Sequence, residues 1–168
     1  MEILPIENKR LFLRYAIPCG EVLVRRGTLD PGTLEKLKNG ILYNRDVRID
    51  VASLFPVASR MCTIIARRMG KDVIDDEIIR RYFLFEHEKA IKWRAKIYPD
   101  ISVRECMVYP ARVLKTGEEI VINTVDGERV IKTLDPEVRR GDFVVTHYDY
   151  ISERVPNETA KKLLRGLR

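Results

Sequence analysis

Cys106 and His147 are the side chains in this sequence best suited to act together on a ligand. Cys106 heads an apolar run, Cys106-Met107-Val108-Tyr109-Pro110-Ala111-Arg112-Val113-Leu114. His147, one of only two histidines, ends another, Gly141-Asp142-Phe143-Val144-Val145-Thr146-His147. A thiolate is a soft ligand for a transition metal and binds only when deprotonated. An imidazole titrates near neutral pH and is the commonest metal ligand. The plainer alternatives are a cysteine packed as a small hydrophobe and a barrel histidine satisfied by a backbone carbonyl.

The other thiols and the other imidazole offer less. His87, in Glu86-His87-Glu88-Lys89, lacks the second histidine four residues on that a zinc-protease helix needs, and reads as a solvated helix-face residue. Cys19 and Cys62 lie in no motif, and Cys62 falls on the apolar side of its helix, so both are assigned to structure. Three cysteines, odd in number and never spaced C-x-x-C, indicate free thiols rather than a disulfide framework or a zinc knuckle. There is no Ser-His-Asp order, phosphate-binding loop or glycine-rich dinucleotide turn, so none of the familiar enzyme classes is indicated.

The elements around Cys106 and His147 read as strands. Met107, Tyr109, Ala111 and Val113 alternate along a first strand, which starts at Cys106, and Ile120 to Val125 make a second. Asp126-Gly127 is a hairpin signal before Glu128 to Ile131, since both residues tolerate the positive φ of a tight turn. Phe143 to His147 form a fourth strand, and Tyr150-Ile151-Ser152 extends it or adds a fifth. Asn157 then caps an amphipathic helix with Ala160, Leu163, Leu164 and Leu167 on one face. Short strands, tight turns and one lid helix predict a small barrel.

Before residue 99 the period is mainly helical. Asp30-Pro31 starts a helix that Gly40 stops. Asp50 caps an apolar pattern running from Val51 to Met69, with Pro56 marking a kink or the true start. Asp75 caps a third helix, carrying Ile78, Ile79, Tyr82, Phe83 and Ile91, that ends before Pro99. The first 26 residues, with Leu11-Phe12-Leu13 and Glu21-Val22-Leu23-Val24 separated by Ile17-Pro18-Cys19-Gly20, read as two brief strands or an irregular lead-in. Charge divides the chain similarly. Residues 1–104 hold 20 Lys and Arg against 14 Asp and Glu, while the remainder holds 11 of each, so the net charge of +6 belongs to the first part. The sequence therefore predicts an α+β protein: a mostly helical, basic domain over 1–104 and a β-barrel domain with a capping C-terminal helix over 105–168.

The strand motifs of residues 105–168 resemble the HypC/HupF family of hydrogenase-maturation chaperones. That family opens on a cysteine followed by apolar residues, Pro and a strand, matched by Cys106 to Val113, and it carries a Gly-Asp-aromatic strand ending in His, matched by Gly141 to His147. Its glycine hairpin is matched by Asp126 to Ile131 and its terminal helix by Asn157 to Leu167. The resemblance implies an OB-like barrel and an accessory role in assembling the iron centre of nickel–iron hydrogenases, or a paralogue that keeps the fold to bind another partner. It further implies Cys106 and His147 as metal ligands and Met107, Tyr109, Pro110 and Tyr148 as partner-binding residues. Iron would be held transiently with no permanently bound cofactor, and the partner would be a maturation-complex protein or a hydrogenase subunit. This sequence departs from the family in placing the cysteine internally rather than after the initiator methionine. It also departs in following His147 with Tyr148-Asp149-Tyr150.

The basic first part offers a different function. Arg60, Arg67, Arg68, Lys71, Arg80 and Arg81 supply a positive helical surface for phosphates. Barrels of this size also bind nucleic acid by base stacking, for which Tyr109, Phe143, Tyr148 and Tyr150 are the aromatic set. Acidic residues interleaved with the same cations weigh against this alternative. The N-terminus lacks a signal peptide and no apolar run is long enough to cross a bilayer, which predicts a cytoplasmic protein without a membrane partner.

Overall fold

A computed structural model describes residues 1–167. The chain divides into two compact units, Met1–His87 and Glu88–Arg168, so the break in packing falls 17 residues before the domain boundary that the sequence predicts after residue 104.

The first unit is built on α1 (Lys9–Arg25), where the sequence predicts two brief strands or an irregular lead-in. Asn8 caps it by accepting from the Leu11 amide, and Leu11, Tyr15, Pro18 and Val22 recur on one buried face. Pro18 removes one interior hydrogen bond, but burying that face outweighs the loss. The helix α2 (Pro31–Leu42) begins as expected, with Asp30 accepting from Thr33 and Pro31 in the first turn. After the short α3 (Val51–Leu54), α4 (Pro56–Arg68) is a new helix, so Pro56 is its first residue rather than a kink. An N-terminal proline is tolerated because that amide has no helical partner.

Asp75 caps α5 (Asp76–Arg81) through the Ile78 amide, and Lys71 donates to the same carboxylate at 2.6 Å. That ammonium holds the Asp75 carboxyl below its ordinary range. A carboxylate depressed in the fold stabilises it above the unfolded value and loses that contribution as pH falls through the folded one. Acidification below about pH 4 should therefore weaken the first unit. Asp75→Asn, which keeps a capping oxygen, should flatten this acid dependence. Asp75→Ala should also cost about 1 kcal/mol at neutral pH. Chemical denaturation of the three proteins at pH 7 and pH 3.5 measures both effects.

A π-helical segment, Tyr82–Glu86, follows α5 and leads into α6 (His87–Ala95). The wider turn brings residues five apart onto one face. His87 accordingly swings inward and is 4% exposed, its ring beside Phe83 and its Nδ1 3.1 Å from the Tyr82 hydroxyl. The regular helical period places this histidine in solvent, and the inserted residue is why that expectation fails. Phe12, Tyr15, Tyr82 and Phe83 form the aromatic centre of the unit.

The second unit contains α7 (Val103–Cys106) and then β1 (Val108–Lys115), β2 (Ile120–Thr124), β3 (Gly127–Thr133), β4 (Phe143–His147), β5 (Tyr150–Arg154) and α8 (Asn157–Gly166). The five strands among the described residues close into a barrel in the order β1-β2-β3-β5-β4. All pairings are antiparallel except β3 with β5, which run parallel over Lys132↔Tyr150 and Thr133↔Ile151. Alternation sends Ala111, Val113, Ile122, Ile131, Val144 and Ile151 into one core.

The β2–β3 turn sits one residue earlier than the Asp126-Gly127 signal places it. Thr124 faces Gly127 across Val125 and Asp126, and the Thr124 hydroxyl donates to the Gly127 carbonyl and accepts from the Asp126 amide. Only Gly127 needs its glycine there, at φ 107°. Pro156, rather than Asn157, is the residue before α8, and the helix buries Ala160 and Leu163 as it packs on β1 and β4.

Candidate functional site: the Cys106–Tyr148 corner of the barrel

Cys106 does not begin a strand. Ser102 accepts from the Glu105 amide to cap α7, and Cys106 is the last residue of that single turn. Met107 is extended and β1 opens at Val108, which lies opposite His147 in the antiparallel β1–β4 pair. The two sequence motifs are thereby brought to one corner of the barrel. The next residue, Tyr148, joins them: its hydroxyl is hydrogen-bonded to the Cys106 sulfur and its amide donates to the Glu105 carbonyl at 3.2 Å.

Tyr148 holds an uncommon backbone conformation. With His147 paired to Tyr150, Tyr148 and Asp149 form a two-residue hairpin loop, and Tyr148 has φ 52°. The first loop position at positive φ favours glycine, and a bulky residue there carries strain of order 1–3 kcal/mol. Its hydroxyl, its amide and its carbonyl, which accepts from Arg129 at 2.6 Å, tie it in place. His147 is fully buried and its ring lies 5.3 Å from that of Tyr148.

The remaining expected site residues fall into two groups. Met107 and Tyr109 are half-buried, with the Tyr109 hydroxyl 3.7 Å from the Met107 sulfur, and burial raises the pKa of that hydroxyl. Tyr148 is also half-buried. Pro110 is buried within β1 opposite Val145, so its side chain is not presented to a partner. Cys106 itself is 3% exposed. Arg104 at the start of the corner reaches Asp126 on the β2–β3 turn at 2.7 Å.

The cations of the helical unit are largely committed within it. Arg67 donates to the Glu2 carbonyl, Lys71 pairs with Asp75 and Glu77, Arg80 lies 3.6 Å from Asp76 and Arg81 lies 3.4 Å from Glu86. Arg60 and Arg68 remain without an ion pair among the described residues. On the barrel, the exposed residues of β2 and β3 mix Asn123, Glu128 and Val130 with the cations Arg129 and Lys132, and include no aromatic ring. The expected stacking set is also not one platform, since Tyr150 is buried and Arg112 lies over Phe143.

Cys62 is buried in α4 as its helical position predicts, and burial pushes its thiol pKa up, which keeps it protonated and unreactive. Cys19 lies with its sulfur within 4.8 Å of a ring nitrogen of His87. Sequence reasoning missed that approach and the burial of His87, although the five-residue interval from Tyr82 to His87 carries a signal once the wide turn is known. It also missed the bond between Tyr148 and Cys106, since 42 residues separate them. No helix among the described residues is long and apolar enough to cross a membrane. No protein-family model, curated protein or solved structure matches the chain.

Proposed function

We propose that the barrel unit is a HypC-like accessory module that helps assemble or deliver a metal centre for a partner protein of the hydrogenase type, with Cys106 as the thiol offered to iron and His147 as its neighbour. The observation that carries this reading is the hydrogen bond between Cys106 and Tyr148 at the β1–β4 corner, which gathers both motif ends into one place. The closed five-strand order with a parallel β3–β5 pair supports an OB-like barrel. A strained residue tied at three points is costly to keep where only a turn is required, and such strain concentrates at functional sites.

The chain's own residues would prepare the thiol. When the sulfur loses its proton, the Tyr148 hydroxyl donates to the thiolate and lowers the cost of its charge. Cys106 is 3% exposed, so loading requires the corner to open around the sulfur while the Tyr148 hydroxyl keeps its bond to it. Iron is the cargo in this reading, a metal for which a soft sulfur ligand is chemically suited.

The test is anaerobic loading with ferrous iron, with and without a candidate hydrogenase subunit. Cys106→Ala should abolish retained iron while leaving far-ultraviolet circular dichroism unchanged. Equal iron in the variant sinks the reading. Tyr148→Gly supplies a second arm: it relieves the backbone strain, so barrel stability should hold or rise by about 1 kcal/mol while iron retention falls. The nucleic-acid alternative rests on six cations of which Lys71, Arg80 and Arg81 are ion-paired within the unit, and retention on single-stranded RNA that weakens with salt would be needed to revive it.

A further inference from the structure

The helical unit contains a cleft of about 660 Å3 that the barrel site does not use. One wall is the N-terminal segment, held down where the Leu4 amide donates to the Thr63 hydroxyl and where Ile6 bridges Ile74. The opposite wall comes from α3 and the start of α4. Ile3, Pro5, Ala52 and Pro56 give the lining its apolar character, and Lys9 and Arg60 bring two cations to it. Asp50 is the single acid in the lining, and its carboxylate is already taken as the cap of α3, accepting from the Ser53 amide and hydroxyl. Lys9 and Arg60 make no salt bridge among the described residues, although the Asp50 pKa, lowered first by the hydrogen bonds from Ser53, is lowered also by the charge of Lys9. The volume falls within the range of small-molecule sites, which are mostly apolar with a few placed polar groups.

We propose that this cleft binds a small amphipathic anion, a carboxylate or phosphate monoester on an apolar body, with Lys9 and Arg60 receiving the head and the apolar walls the body. Two cations against one committed carboxylate favour an anion over a neutral or cationic ligand. The apolar walls separate such a ligand from inorganic phosphate, because each buried methylene adds about 0.8 kcal/mol. The site is independent of the thiol corner, so Cys106→Ala leaves it unchanged.

The probes are octanoate, octyl phosphate, octanol and inorganic phosphate, each added to the isotopically labelled full chain below any micelle-forming concentration and followed by amide chemical shifts. Octanoate or octyl phosphate should move the amides of Lys9, Ala52 and Arg60, and the tighter of the two identifies the preferred head. Lys9→Gln/Arg60→Gln should weaken that binding at least tenfold with less than a twofold effect on octanol. Arg68→Gln, on the same helix but outside the cleft, should leave it unchanged. The proposal is overturned if the anions do not move these amides, if octanol binds as tightly as octanoate, or if the double variant binds like the parent while its spectrum shows an intact fold.

Discussion

Phe83→Ala is expected to destabilise the helical unit by about 3–5 kcal/mol. Phe83 is 2% exposed and stacks on Tyr15 with ring centres 5.0 Å apart. It also meets Tyr82 at 4.8 Å, His87 at 5.4 Å and Phe12 edge-on at 5.9 Å. Truncation removes the ring's transfer energy and leaves a cavity, and rigid rings around it cannot close over the space. Each lost aromatic pair adds roughly 0.5–1.5 kcal/mol beyond area burial. A large part of the stability of a typical domain is therefore at stake. The measurement is a denaturant midpoint at constant slope, and a cost below about 1 kcal/mol would mean that the π-helical segment repacks.

Arg154→Met is expected to cost the barrel unit about 2–3 kcal/mol. Asp135, between β3 and β4, is 1% exposed and accepts from the Arg154 Nε at 2.9 Å and from the Glu137 amide at 3.0 Å. Losing the guanidinium removes a counter-charge from a buried carboxylate, and the figure sits below that for a fully buried pair because Arg154 is partly exposed. Glu137, the second acid on Arg154 at 2.6 Å, is mostly exposed. Glu137→Ala should cost under 1 kcal/mol, since exposed ion pairs contribute little. Thermal unfolding of both variants separates the contributions, and equal losses would deny Asp135 its role as the anchored charge.

Local chemistry is the part of this fold that the residues disclose. Asp30-Pro31 and Asp75 cap helices where their side chains say they should, because a cap is decided within four residues. Alternation in the second unit likewise reveals a small barrel with a final helix. Pro18 misleads because tertiary burial of Leu11, Tyr15 and Val22 overrides a local breaker. His87 misleads because one extra residue in a turn changes the phase of everything after it. At the candidate site, Cys106 and His147 are legible as residue types. Their meeting through Tyr148 is not, since it depends on β1–β4 register and on a loop conformation that tyrosine seldom adopts. The cleft beside Lys9 is hidden for the same reason, as its walls come from segments about 45 residues apart.

The closure of the barrel limits how the second unit can meet another protein. β4 pairs with β1 and β3 with β5, so each strand already has a neighbour on both sides. Along these paired stretches a peptide cannot dock by adding itself as a further strand, and two copies cannot zip together there. Recognition at them is written in side chains and turns. The Tyr148 corner is such a turn, and a partner selected there is chosen by shape and chemistry rather than by generic backbone pairing.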